Sequence, residues 1–489
     1  VEAETNKEAF ERRRNHVGRE IGLKSGTTPN NGALNCVAEK RCRFDGAVFD
    51  RYTCGDCFAG IAVGMETGPS YIALGVFVLA YGLFVALPTR RSLVGVIAAL
   101  VLMVTRTIPV GVALRDGINW NVMGIFVGTL IAADYFIESR TPAYLAEVIV
   151  NKAPNTAWAI LFICALTGCI SAFVENVATV LIVAPVALSL ARKLRINPVN
   201  MMIGIAISSN LQGAATLIGD PPSMLLGGFA KMTFMDFFVY HGRPSIFFAV
   251  ELGALTSFAV LYGFFRRETE KVPLTPAETV KTWVPTVVLV LLIVSLAFSS
   301  FLDTGFGYLA GAICMGYGLL LLVWGHSVHK MHFLRTLKRL DWDTTFFLMA
   351  IFIIVASLSA TGWIDRISDV LSRSIGENVF LGYTLLVFFS IAISAFVDNV
   401  PFLAAMLPVG LEMSEKLGLN PSLYLFGLLI GASLGGNVTP IGASANIVAA
   451  GLLKKEGYHL TFRQFGKISV PFTLAAVIPA YLLVWFLWR

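Results

Sequence analysis

Two short runs carry the acidic chemistry of this chain. Ser171–Val177 reads Ser-Ala-Phe-Val-Glu-Asn-Val and Ser394–Val400 reads Ser-Ala-Phe-Val-Asp-Asn-Val, each inside apolar sequence. Each sets a carboxylate, Glu175 or Asp398, beside an amide, Asn176 or Asn399. A carboxylate near the centre of a bilayer costs roughly 2.5–3.5 kcal/mol even on lenient scales, so it is paired or functional. Burial favours the proton-bearing acid, whereas a coordinated cation keeps it ionised. Either acid could also cap the helix that follows it. The amides can donate to a substrate oxygen and accept from a backbone N–H, which suits substrate contact or capping.

Two further stretches concentrate uncharged polar atoms and helix-breaking residues. Gly213 to Pro222 contains Thr216, Gly219 and Asp220, and Gly435 to Gly442 contains Asn437, Thr439 and Gly442. Asn210 and Asn446 flank them. Unwound backbone at membrane depth is tolerated only where protein or a water-filled cavity satisfies its freed polar groups. The two breaks and the two acidic runs are therefore expected to meet in one ion site, with sodium coordination compatible with Asn176, Asn399, Thr216 and Thr439. Asp220 precedes two prolines and is placed either to cap the next helix or to handle a proton or cation. Asp134, inside an apolar segment, reads as a snorkelling or helix-paired residue rather than a relay.

Catalysis is not indicated. No hydrolase, zincin or nucleotide-binding motif occurs in a context that could use it, and no firm metal set or cofactor is implied beyond a proton or sodium as coupling ion. Of seven cysteines, Cys36, Cys42, Cys54 and Cys57 fall in the polar first seventy residues. Disulfides are expected there over a zinc site, with the pairing left open.

These groups need elements that hold them in a membrane. The 489 residues are 56% apolar and 14% charged, with mean hydropathy +0.73. Soluble chains carry about 25% charge, and here the deficit falls in runs long enough to cross roughly 30 Å of hydrocarbon. A soluble enzyme, a nucleic-acid binder and a disordered scaffold are excluded. The +6 net charge is therefore a matter of loops.

The acidic runs repeat at an offset of 223 residues, and the same register carries Gly213, Thr216, Ile218 and Gly219 onto Gly436, Thr439, Ile441 and Gly442. Asn119-Trp120-Asn121 answers Asp341-Trp342-Asp343 at an offset of 222. The expected architecture is an all-α polytopic membrane protein of two inverted repeats, residues 71–265 and 283–489, joined by a cytoplasmic linker at 266–282. Each repeat has five transmembrane helices, some broken, and one re-entrant hairpin, a total that fits inverted halves. Residues 1–70 form an extracytoplasmic tail that could dock a partner. Outside the tail, 19 Lys and Arg fall on one implied face and 8 on the other, making the first face cytoplasmic and both termini extracytoplasmic. The chain starts at Val1 without a signal-peptide pattern, so any targeting segment is expected to have been removed or to lie outside it.

At these motifs the sequence resembles the ion transporter superfamily, in its arsenite permease, P-protein and NhaD-type antiporter branch with a citrate-transporter-like domain. The resemblance spans about residues 71–488. It implies re-entrant hairpins, a homodimer, and a transport body that moves against a scaffold like an elevator. Dicarboxylate and citrate carriers of the superfamily have Ser-Asn-Thr at the hairpin tips, where this chain has Glu175-Asn176-Val177 and Asp398-Asn399-Val400. Two carboxylates beside a polyanion would repel it by roughly 4 kcal/mol per charge pair at 4 Å and an effective dielectric of 20. The expected activity is thus proton-coupled antiport of sodium or arsenite. The alternatives are a sodium-coupled di- or tricarboxylate carrier, or a membrane-embedded structural subunit.

Overall fold

A computed structural model describes residues 35–37, 41–44, 47–50, 67–87, 90–194, 196–270, 279–303, 305–329, 333–376 and 378–489. Two units are distinct, Val1–Gly64 and Met65–Arg489. In the first, strands β1 (Asn35–Val37), β2 (Arg41–Phe44) and β3 (Ala47–Asp50) form an antiparallel sheet in the order β1-β2-β3. Its register sets Cys36 opposite Cys42. Cys54 and Cys57 lie outside the described residues.

The second unit is nearly all helix. The first repeat comprises α1 (Thr67–Ala86), α2 (Arg91–Val104), α3 (Trp120–Glu138), α4 (Thr141–Asn151), α5 (Thr156–Ser171), α6 (Asn176–Leu194), α7 (Val199–Gly213), α8 (Pro221–Ala230) and α9 (Ile246–Phe265). The second runs α10 (Val284–Ser299), α11 (Leu309–His329), α12 (Trp342–Ala360), α13 (Trp363–Ile375), α14 (Val379–Ser394), α15 (Asn399–Lys416), α16 (Pro421–Gly435), α17 (Ser444–Lys455) and α18 (Phe462–Trp488). Each of the first nine of these helices has its counterpart nine places on. Among the described residues, seven helices are long and apolar enough to cross a membrane. With two broken crossings, α7–α8 and α16–α17, and two hairpins, α5–α6 and α14–α15, this is a multi-pass membrane protein of two inverted repeats.

Packing follows the duplication. α2 packs on α12 while its counterpart α11 packs on α3, and α8 packs on α15 while α17 packs on α6. Every such contact joins one repeat to the other and occurs twice, as a twofold relation between the halves requires. Where α3 and α11 touch, a Cβ on Gly128 would lie 2.3 Å from the Cys314 carbonyl carbon, so only glycine permits that approach. Pro185 and Pro408 interrupt the second arms of the two hairpins at equivalent places.

The short helices α4 and α13 were not evident as apolar runs, because α13 is amphipathic, carrying Asp365, Arg366, Asp369 and Arg373 on its polar side. Both start from a left-handed residue, Arg140 at φ 59° and Gly362 at φ 74°, so each repeat makes the same turn out of its long helix. Lys416 on α15 fastens α13, donating to Ser368 Oγ at 2.8 Å and pairing with Asp369 at 2.8 Å. A β-hairpin of β4 (Val239–Tyr240) and β5 (Arg243–Pro244) joins α8 to α9.

Candidate functional site

The hairpin tips are four-residue turns closed by the acids themselves. Glu175 Oε2 accepts from the Ala178 N–H at 2.9 Å, and Asp398 Oδ1 accepts from the Val400 N–H at 3.2 Å. Both acids therefore cap the following arm. Capping engages one oxygen of each, and both side chains still line a common cavity.

The breaks are buckled onto the tips in the same way in both repeats. Thr216 Oγ1 donates to the Ala172 carbonyl, and Thr439 Oγ1 to the Ala395 carbonyl. A Cβ on Gly219 would lie 2.6, 2.9 and 3.0 Å from the carbonyl oxygens of Gly213, Ser171 and Ala172. On Gly442 it would lie 2.7, 2.8 and 2.9 Å from those of Gly436, Ala395 and Ser394, the equivalent three atoms. Glycine is required because three carbonyls converge there. These four residues hold tip to break rather than facing the cavity. Asn446 has the same bracing task, donating to the Gly436 and Thr439 carbonyls at 2.9 and 3.0 Å.

The cavity is small, about 30 Å³, the space of one water or one small ion. Six predicted residues meet there: Glu175, Asn176, Asn210, Asp220, Asp398 and Asn399. Asn176 Nδ2 donates to Asn210 Oδ1 at 2.9 Å and to Asp220 Oδ2 at 3.1 Å, and Asn210 Nδ2 donates to Asn437 Oδ1 at 3.1 Å. Asn437, which does not line the cavity, anchors this chain by donating to the Ile207 carbonyl at 3.2 Å. A hairpin tip of one repeat and the broken helices of both are thus tied through buried amides, whose orientation is fixed because each donor has an acceptor.

Three lining residues were not anticipated: Arg91, Asp341 and Thr344. Arg91 Nη1 pairs with Asp398 Oδ2, Nη2 donates to Thr344 Oγ1 at 3.2 Å, and the guanidinium lies 5.1 Å from the centre of the Phe347 ring. Asp341 caps α12, accepting from the Thr344 N–H at 3.0 Å. In sequence, Arg90 and Arg91 look like loop charges at a membrane edge, and Asp341 registers only as part of the repeat. Asp134 is paired as expected, with Arg339 at 2.9 Å, and does not line the cavity.

The cavity lies against the N-terminal ends of α2 and α12. Their counterparts, the N-terminal ends of α11 and α3, line a second, larger cavity of about 590 Å³. Gly307, Tyr308 and Gly311 face it from α11 and its approach, Asn119, Trp120 and Asn121 from the start of α3, and Gly228 and Phe229 from the far end of α8. One pair of helix ends thus holds the acidic site, and its twofold mate faces open space.

Inverted repeats with paired hairpins and paired breaks around one buried polar site define a secondary transporter of the multi-pass membrane class. The chain belongs to the citrate transporter family, whose profile matches residues 81–409 and 307–489. It is similar to an uncharacterized transporter of Mycobacterium tuberculosis, 28% identical over 428 residues and covering 85% of this chain and 98% of that one. The P protein of Mus musculus is 25% identical over 475 residues, covering 79% of this chain and 56% of that protein. Among solved structures, the YdaH transporter of Alcanivorax borkumensis shares the fold, with a TM-score of 0.54 at 13% identity over 85% of this chain and 97% of that one. That crystal structure is described as revealing an unusual topology.

Proposed function

We propose that the chain is a proton-coupled antiporter of a small inorganic ion, sodium or arsenite, working by an elevator-type movement of the hairpins and broken helices against α1–α3 and α10–α12. The observation that carries the ion reading is the charge of the cavity. Four carboxylates, Glu175, Asp220, Asp341 and Asp398, face a single guanidinium. That balance favours a cation, or a neutral hydroxide exchanged for protons, over a free polyanion. Glu175 and Asp398 are the carboxylates that exchange proton for cation. Asn176, Asn399 and Asn210 supply amide oxygens, while Thr216 and Thr439 brace the breaks behind the tips.

The movement is supported by the pair of cavities. In a twofold-related state the site would leave the ends of α2 and α12 and dock against the ends of α11 and α3. By the distribution of loop charge, the berth occupied here is the cytoplasmic one and both termini are extracytoplasmic. A homodimer would supply the fixed scaffold.

Membership of the citrate transporter family favours a second reading, a tricarboxylate carrier, for which Arg91 would be the carboxylate-binding group. The two readings separate in proteoliposomes loaded with a pH-sensitive dye and given sodium, arsenite or citrate in turn. Antiport predicts a pH change evoked by sodium or arsenite and absent from a Glu175→Gln/Asp398→Asn double variant. A response to citrate alone would overturn it, as would silence to all three in correctly inserted protein.

A further inference from the structure

We infer that Arg91 is a tethered cation: it occupies the Asp398 carboxylate when no transported cation does, and passes to Asp343 when one binds. The inference rests on the cation reading of the site above.

Arg91 and a bound cation compete for one carboxylate on electrostatic grounds. Arg91 Nη1 already pairs with Asp398 Oδ2, and an ion held in the adjoining cavity, whose volume of about 30 Å³ admits one small ion, would meet the like charge of the guanidinium at that carboxylate. A guanidinium keeps its charge at any accessible pH, so it cannot vacate the carboxylate by losing a proton. It must swing. A receiving carboxylate stands within reach, since Arg91 Nε lies 3.8 Å from Asp343 Oδ2. The Asp343 side chain is 51% exposed against 23% for Asp398, so the displaced guanidinium moves toward water without losing an anionic partner. Thr344 Oγ1, which accepts from Nη2 at 3.2 Å, marks the pivot between the two partners.

The device belongs to one berth only. At the twofold-related ends, α11 begins at Leu309 with no arginine, and Asn119 and Asn121 stand where Asp341 and Asp343 stand in the other repeat. Asn121 is committed to structure, accepting from the Gly311 N–H at 2.7 Å and donating to the Phe306 carbonyl at 3.2 Å. A cation carried to the α2–α12 berth thus meets a competitor for Asp398, and one carried to the α11–α3 berth does not. Arg91 favours discharge at a single side and leaves the emptied carboxylate neutralised.

The test is sodium-dependent thermal stabilisation of the purified full chain, with choline chloride holding ionic strength constant, because a ligand that binds the folded state raises its melting temperature in proportion to ln(1 + [L]/Kd). Arg91→Gln is expected to lower the sodium midpoint about tenfold, a change equivalent to about 1.4 kcal/mol. Arg91→Lys should stay near the wild-type midpoint. Asp343→Asn, an exposed change that spares folding, should raise it severalfold by holding Arg91 on Asp398. An unchanged or higher midpoint in Arg91→Gln, or an unchanged one in Asp343→Asn, overturns the tethered cation while leaving the cation site intact. Sodium insensitivity of both wild type and Arg91→Gln overturns the two together. Stabilisation of wild type by citrate, lost in Arg91→Gln, would instead make Arg91 an anion-binding residue.

Discussion

Arg91 and Asp398 are 307 positions apart in the chain and form one ion pair, joining the first turn of α2 to the tip of the second hairpin. A second bond runs alongside, from the Tyr81 hydroxyl on α1 to the Pro401 carbonyl at 2.5 Å. Both link the α1–α2 end to the hairpin, so both must open if the hairpin moves.

Removing one partner of the pair should cost more than removing both. Arg91→Met or Asp398→Asn leaves a largely buried group without its counter-charge, a loss of about 1–3 kcal/mol once partial exposure is allowed for. The double variant should recover part of it. A double-mutant cycle on melting temperature reads the coupling directly, and strict additivity would show the pair to be energetically silent.

Gly219→Ala and Gly442→Ala should be equally damaging. Each Cβ would intrude among three backbone carbonyl oxygens at 3.0 Å or less, and backbone cannot rotate away as a side chain can. Overpacking of this kind costs roughly 1–3 kcal/mol. Melting temperatures that fall together, with loss of transport, are the expected outcome. A neutral effect at either glycine would contradict the close buckling of tip and break.

Asn176→Ala removes two bonds at once, to Asn210 and to Asp220. Leaving buried Asp220 without this donor should cost about 2 kcal/mol and reduce transport at least tenfold. Asn176→Asp, which places a second carboxylate against Asp220, should be worse. Wild-type flux in either variant would remove the amide chain from the site.

Asp134→Asn serves as the contrasting case. Asp134 is an acid within a membrane helix, yet it pairs with Arg339 outside the cavity. Its replacement should change stability by about 1 kcal/mol or less and preserve proton coupling, whereas Asp220→Asn should abolish coupling. Measured proton-to-ion ratios in the two variants would separate a structural acid from a transport acid.

Much of this arrangement is legible in the sequence, and the reason is the duplication. A tip motif that recurs at 223 residues with its acid and amide in register marks equivalent places in two copies, and Glu175, Asn176, Asp398, Asn399, Asn210 and Asp220 do converge. The same pattern could not distinguish lining from bracing. Thr216, Thr439 and Asn446 are polar residues at breaks whichever way they point, and only the carbonyls they meet reveal their task. Arg91 was hidden for a different reason. A basic residue after a loop proline is ordinary at a membrane edge, and its partner is a tip in the other repeat. The amphipathic α13 was missed because charge interrupts the apolar run by which membrane helices are read.

The central claim, one acidic site serving two twofold-related berths, is tested most directly by cross-linking. In a background lacking Cys164, Cys169 and Cys314, cysteines are placed at Val177 beside the first hairpin tip and at Leu309 at the start of α11. The twofold relation sets these against each other when the site docks at the second berth, as Val400 and Arg91 are lining neighbours at the first. A disulfide that forms in membranes, forms faster under conditions of active transport and arrests flux until reduced is the predicted result. Failure of Val177→Cys/Leu309→Cys to cross-link in protein that is transporting would contradict the account.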